Sequence, residues 1–250
     1  MPLELQAGLW GGVTGLALVI GALIGYYVKL PHRVVAGVMA FGSGVLISTL
    51  AFELMEEAVD EGGLKTAVTG FIIGAALYTG ANAALSMHGA KHRKRSRKQE
   101  PLGDDGGGGG AIALGALLDG IPEAAAIGVS LLGGEGVALV TVFAIFMSNV
   151  PEGLSSSAGM RRAGRSARFV FSLWISIALV SAIAAWLGYA FLGNLGEAYS
   201  AGAIAVAAGA ILVMIVQTMI PEAVEDIHGF TGPIAALGFL VAFVASNLYG

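Results

Sequence analysis

The sequence predicts an all-α polytopic membrane protein, and three observations lead to this fold class. The chain of 250 residues has a mean hydropathy of +0.81. Only 12% of its residues are charged, about half the fraction found in soluble domains. Its apolar runs reach about 18 residues or more, the length that crosses a bilayer as a helix, and they do not alternate as the short strands of a membrane barrel do. A soluble protein is therefore excluded.

The apolar runs divide into eight predicted transmembrane helices. They cover roughly residues 8–28, 34–58, 65–87, 110–133, 136–159, 168–192, 199–222 and 231–249. The chain contains 39 glycines, which suits helices that pack closely in lipid. In the seventh span, Gly202 and Gly209 predict a small-residue packing face.

The basic residues predict the orientation of these spans. Lysines and arginines collect in three connections, at residues 29–33, 91–98 and 161–168, and Lys65 is the one basic residue elsewhere. With eight spans, those three connections share one side of the membrane. The positive-inside rule makes that side cytoplasmic and places both termini outside.

Four segments follow from this division. Residues 1–87 hold spans one to three, residues 88–109 form a flexible cytoplasmic loop rich in basic residues and glycine, residues 110–159 hold spans four and five, and residues 160–250 hold spans six to eight. The lipid bilayer is the expected environment, and nothing indicates a nucleic-acid partner.

Acidic side chains within the apolar spans are the candidate functional residues. Asp119, Glu123 and Glu152 interrupt spans four and five. A carboxylate in hydrocarbon costs about 2.5–3.5 kcal/mol on insertion scales and usually faces a bundle interior or an aqueous cavity. The alternative is a protonated or interhelically bonded carboxyl that only supports packing.

The acidic residues recur in a pattern that favours the functional explanation. Span four reads Asp-Gly-Ile-Pro-Glu-Ala over 119–124, and span five reads Ser-Asn-Val-Pro-Glu-Gly over 148–153. Asp119 and Glu123 share one helix face, as do Ser148 and Glu152, because four residues separate each pair. If these faces point at each other, four oxygen-bearing side chains surround one small volume.

The prolines within both segments add further oxygen ligands. Pro122 and Pro151 cannot donate to the carbonyls of Leu118 and Met147. In lipid such carbonyls need other partners, and an ion-lined or aqueous cavity provides them.

The available donor atoms predict a divalent cation as cargo. They are carboxylate, hydroxyl, amide and carbonyl oxygens, since the chain has no cysteine and no histidine falls in the predicted central membrane region. An all-oxygen site suits Mn, Fe(II), Mg and Ca, with Zn and Co also possible. The sequence therefore predicts a metal site formed by Asp119, Glu123, Ser148, Asn149 and Glu152.

With these motifs the chain resembles the ZIP family of divalent metal transporters, particularly its bacterial, GufA-like branch. The two Pro-Glu motifs, the Ile-Pro-Glu-Ala at 220–223, eight spans with external termini and a long loop after span three are all similar to that family. The resemblance covers essentially the whole chain. Asp119 stands where the family usually has His, Gly120 where it has an Asn ligand, and Ser148 where it often has Gln or His. These departures imply one weakened metal site and a reduced preference for Zn.

The resemblance implies further properties. Spans one to three and six to eight would form an inverted repeat around spans four and five, a three-plus-two-plus-three arrangement. The protein would carry Zn, Mn, Fe or Co as a transported substrate, with no prosthetic group, across a bacterial cytoplasmic membrane. A homodimer is compatible with the resemblance to this family. Glu53, Gln217 and Glu222 would line an entry or exit, although carboxylates near a membrane boundary have an equally good structural explanation.

Two alternative functions stay open at the level of sequence. An intramembrane hydrolase is disfavoured because the chain has no His-Glu-x-x-His motif and its serines at 155–157 lack a membrane-embedded His partner. We therefore expect no enzyme activity. A degenerate relative that binds metal without transporting it is the second alternative.

Overall fold

The computed structural model describes residues 2–87, 109–131, 139–192 and 195–249. This part of the chain consists of helices and their connections, without a strand, which confirms the all-α class. The predicted loop at 88–109 lies outside the described residues except for Gly109. The α-helices are α1 Leu3–Tyr27, α2 His32–Thr49, α3 Met55–Leu85, α4 Gly109–Ser130, α5 Leu139–Arg162, α6 Ala167–Leu192, α7 Glu197–Met214, α8 Ile220–Ile227 and α9 Thr231–Tyr249.

Among the described residues, five helical segments are long and apolar enough to cross a membrane. They are Leu3–Tyr27, His32–Leu85, Ile112–Val129, Ala167–Leu192 and Ala198–Leu248. Two of them, with 54 and 51 residues, far exceed the roughly 20 residues that one crossing needs. The fold is that of a membrane-embedded helical protein, as the composition predicts.

Both long segments contain a π-helical turn followed by a backbone break. Leu50–Leu54 and Ile215–Met219 are the π turns, which join α2 to α3 and α7 to α8. Downstream of each, one residue takes a positive φ: Gly63 at 75° and His228 at 36°. Glycine adopts this conformation without strain, whereas His228 is the one non-glycine residue in the described chain that does so.

Helix continues past residue 222, the predicted end of the seventh span, to Ile227. Proline usually disrupts a helix interior. Pro221 instead lies in the first turn of α8, directly after the π turn. The π turn and α8 are continuous, so Pro221 lies within one long helical segment.

Glycines let the helices pack backbone against backbone. A Cβ built at Gly74 of α3 would overlap the carbonyl of Val206 in α7, and one at Gly209 would overlap the carbonyl of Phe71. The predicted packing face in α7 is thus confirmed at Gly209, while Gly202 has ordinary room, with Thr66 at 3.7 Å. Glycine pairs of the same kind join α2 to α9 through Gly44 and Gly238.

Helix contacts place the two proline-containing helices in different surroundings. α4 packs mainly on α6 and α7, whereas α5 packs mainly on α1 and α2. α4 and α5 contact each other only along a short stretch. The largest cluster of buried apolar side chains joins α2, α3, α4 and α7, so the candidate residues of α4 lie beside the main core.

Candidate metal site

All five residues of the predicted metal site are buried. The exposed fraction is 0% for Asp119, 3% for Glu123, 1% for Ser148 and 4% for both Asn149 and Glu152. Charged groups are almost never this deeply buried without partners. The sequence-based expectation that these side chains face the interior of the bundle is confirmed.

Asp119 is held by a residue that the sequence analysis did not select. The hydroxyl of Tyr78 in α3 donates a hydrogen bond to Oδ1 of Asp119. Tyr78 is itself buried, with 2% of its surface exposed. A signal for this partner was present, because a tyrosine inside a predicted span needs a hydrogen-bond partner for its hydroxyl. The contact attaches the acidic face of α4 to α3.

Ser148 and Asn149 present oxygen atoms with defined orientations. The Ser148 hydroxyl donates to the carbonyl of Ile145 at 2.9 Å, so its oxygen lone pairs are directed away from that carbonyl. The Asn149 amide nitrogen donates to the carbonyl of Thr14 in α1 at 2.9 Å. The Asn149 Oδ1 atom is buried and has no hydrogen-bond partner among the described residues. It is an oriented acceptor of the kind that a cation uses.

Glu222 belongs to the same interior as these residues. It is 3% exposed, and its Oε1 atom accepts a hydrogen bond from the Ser155 hydroxyl at 3.0 Å. Ser155 lies one turn after Glu152 on α5 and is fully buried. The Glu222 side chain is as buried as those in α4 and α5.

The two remaining candidates, Glu53 and Gln217, lie in the π turns, and each accepts a hydrogen bond from another helix. Glu53 accepts a hydrogen bond from the Ser246 hydroxyl of α9. The Gln217 Oε1 atom accepts one from the Asn82 amide of α3 at 2.6 Å, at an exposed position. The observed contacts do not connect either residue to the buried group in α4 and α5.

The structure brings the predicted residues together only in part. Asp119 and Glu123 are buried one turn apart on α4. On α5, Asn149 donates to Thr14 of α1, and Ser155, which was not predicted, donates to Glu222. Within the described residues, no group of three or more histidine, cysteine, aspartate or glutamate side chains is arranged to hold a metal ion. The arrangement offers buried carboxylate, hydroxyl and amide oxygens along both proline-containing helices.

Comparison with protein-family models and with curated proteins identified no relative. No protein-family model matches the chain, and no curated protein matches it.

Proposed function

We propose that this protein transports a divalent metal ion across a membrane. The observation that carries the proposal is the burial of Asp119, Glu123 and Glu152 in proline-containing helices of a membrane-embedded bundle. Ionisable residues at such positions are rare and are by default candidates for ion pathways. The negative charge of several carboxylates favours a cation over an anion.

In this proposal Glu123 and Glu152 bind the ion directly. Asp119, Ser148 and Asn149 assist, and the oriented Oδ1 atom of Asn149 supplies a neutral ligand. All these donors are oxygen atoms, which favours Mn or Fe(II) over Zn and keeps Zn and Co as further substrates.

An internal duplication supports eight membrane crossings around this site. Residues 36–63 and 201–228 align without a gap, and both contain Ala-Gly at the start and Glu-Ala-Val at 57–59 and 222–224. A spacing of 165 residues separates the starts of the two π turns, at 50 and 215. The same spacing separates Gly63 from His228, which both have a positive φ.

The helix contacts support a three-plus-two-plus-three inverted repeat in the same way. α2 packs on α9 as α7 packs on α3, and α1 packs on α5 as α6 packs on α4. Exchanging the two halves therefore maps these contacts onto one another. Transporters built from inverted repeats place their substrate sites between the repeats, near the bilayer midplane. A bacterial cytoplasmic membrane with both termini outside completes this proposal.

Metal uptake into proteoliposomes tests the proposed function. Flux of Mn²⁺, Fe²⁺, Zn²⁺, Co²⁺ and Mg²⁺ is compared for the wild type, Glu123→Gln and Glu152→Gln. Losing even an outer-sphere partner of a metal site costs about 10–100-fold, so we expect each variant to lose at least tenfold. Glu56→Gln is the matched control, since it neutralises an exposed carboxylate. Unchanged flux in both buried variants would contradict the assignment.

A further inference from the structure

A cavity with a cationic lining contains none of the candidate metal-site residues in its wall. It has a volume of about 310 Å³ and lies where α1 ends, α2 begins and α5 ends. Lys29, Arg161 and Arg162 contribute three positive charges to its wall, and no acidic residue of the described chain lines it. A concentration of positive charge around a concave site favours an anionic ligand.

Arg161 is oriented by neutral groups. Its Nη1 atom donates to the backbone carbonyl of Tyr26, and its guanidinium carbon lies 5.9 Å from the centre of the Tyr26 ring. These contacts hold the guanidinium without neutralising it. Lys29 is the second residue after α1 and is exposed, so its ammonium group can reach a ligand over the mouth of the cavity.

The rest of the wall is apolar. Its main apolar side chains are those of Val28, Leu30, Val35 and Leu154. The cavity therefore combines a cationic part with a hydrocarbon surface, which suits an amphiphilic ligand better than a small hydrated anion.

An aromatic cluster beside the cavity indicates its depth in the membrane. Tyr27 stacks on Phe171 with ring centres 5.7 Å apart, and Tyr26 meets Phe171 edge-on at 5.8 Å. Tyr27 is 63% exposed. Exposed tyrosines of membrane helices collect at the level of the lipid headgroups, so the cavity opens at headgroup depth.

We propose that this cavity binds an anionic phospholipid. Lys29 and Arg161 contact the headgroup phosphate, and an acyl chain lies along the apolar wall. Basic pockets between transmembrane helices recognise anionic headgroups in this way, and arginine pairs with phosphate through charge-assisted hydrogen bonds.

Native mass spectrometry of the full chain in detergent tests this proposal. Phosphatidylglycerol, phosphatidylcholine and inorganic phosphate are titrated separately onto the wild type, Lys29→Gln, and the double variant Lys29→Gln with Arg161→Gln. We expect saturable binding of phosphatidylglycerol alone. A basic group near an anionic lipid contributes roughly a fivefold factor, so the affinity should fall about fivefold in the single variant and tenfold or more in the double variant.

The double variant Arg33→Gln with Arg168→Gln is the matched control, because both side chains are exposed at the same end of the bundle and neither lines the cavity. Its affinity for phosphatidylglycerol should equal that of the wild type. An equal loss in this control would overturn the proposal, since it would indicate general surface charge. Binding of inorganic phosphate without phosphatidylglycerol would overturn the assignment to a lipid. The Lys29→Gln variant keeps the test decisive if loss of the Arg161 anchor prevents folding.

Discussion

Buried carboxylates are the residues on which the proposed function depends, and their neighbours determine how they are held. Asp119 is fully buried and accepts a hydrogen bond from the Tyr78 hydroxyl, while Glu222 accepts one from Ser155. Each bond joins residues far apart in sequence. These bonds orient the carboxyl groups and reduce the cost of placing them in the bundle.

Replacing Tyr78 with phenylalanine tests the contact to Asp119. The ring keeps its packing, and one hydrogen bond to an acidic group is lost, which typically costs about 1.5–3 kcal/mol. We therefore expect a lower melting temperature for purified Tyr78→Phe in detergent, measured by tryptophan fluorescence.

Tyr199→Phe serves as the control for that measurement, because Tyr199 is 67% exposed and the change removes the same hydroxyl from the surface. Its melting temperature should match the wild type. A melting temperature of Tyr78→Phe that equals this control would show that the hydroxyl adds nothing to stability.

The sequence predicted which side chains are buried but not what they contact. Apolar runs interrupted by Asp119, Glu123 and Glu152 imply burial, because only an interior position tolerates these groups in lipid. The partners Tyr78 and Thr14 lie on other helices, and helix packing decides which residues meet. Spacing within α4 or α5 contains no information about that packing.

At the scale of elements, glycines set how closely the helices approach. α3 and α7 meet through Gly74 and Gly209, where each backbone lies against a carbonyl of the other helix. Abundant glycine in the sequence predicted such packing in general. The interruptions by π turns were not predicted, since no residue type marks a π turn as proline marks a kink.

Gly74→Ala tests the close approach of α3 and α7. The added Cβ would overlap the carbonyl of Val206, so the helices must separate. Such overpacking typically costs about 1–3 kcal/mol, and we expect a lower midpoint of thermal aggregation. Gly80→Ala lies on the same helix with no atom within 4 Å of the new Cβ, so it should be neutral or slightly stabilising. Equal midpoints for both variants would contradict the proposed tight contact.

The whole molecule has an uneven distribution of charge. Twelve of its thirteen basic residues lie in three connections, and Lys65 is the exception. Eight crossings would put the three connections on one side of the membrane and Lys65 on the other. The positive φ at Gly63, just before Lys65, and at His228 marks the places where each long helical segment would turn back.

Labelling of single cysteines can decide the number of crossings, because the chain has no cysteine of its own. Lys65→Cys, Arg168→Cys and Gly229→Cys place thiols at exposed positions, and no atom lies within 4 Å of a Cβ at Gly229. With eight crossings, a membrane-impermeant maleimide added outside intact cells should label Lys65→Cys alone. Permeabilised cells should show labelling of all three variants, which controls for accessibility.

The three positions together distinguish eight crossings from fewer. If the segment His32–Leu85 crossed once, without a turn near Gly63, the basic connections on either side of it would face opposite compartments, against the positive-inside rule. Labelling of Lys65→Cys and Arg168→Cys from the same side would contradict eight crossings, because eight crossings place three spans between these two residues. The two halves would then not form the proposed inverted repeat, and the proposed site between α4 and α5 would lose the symmetry from which a position near the midplane is inferred.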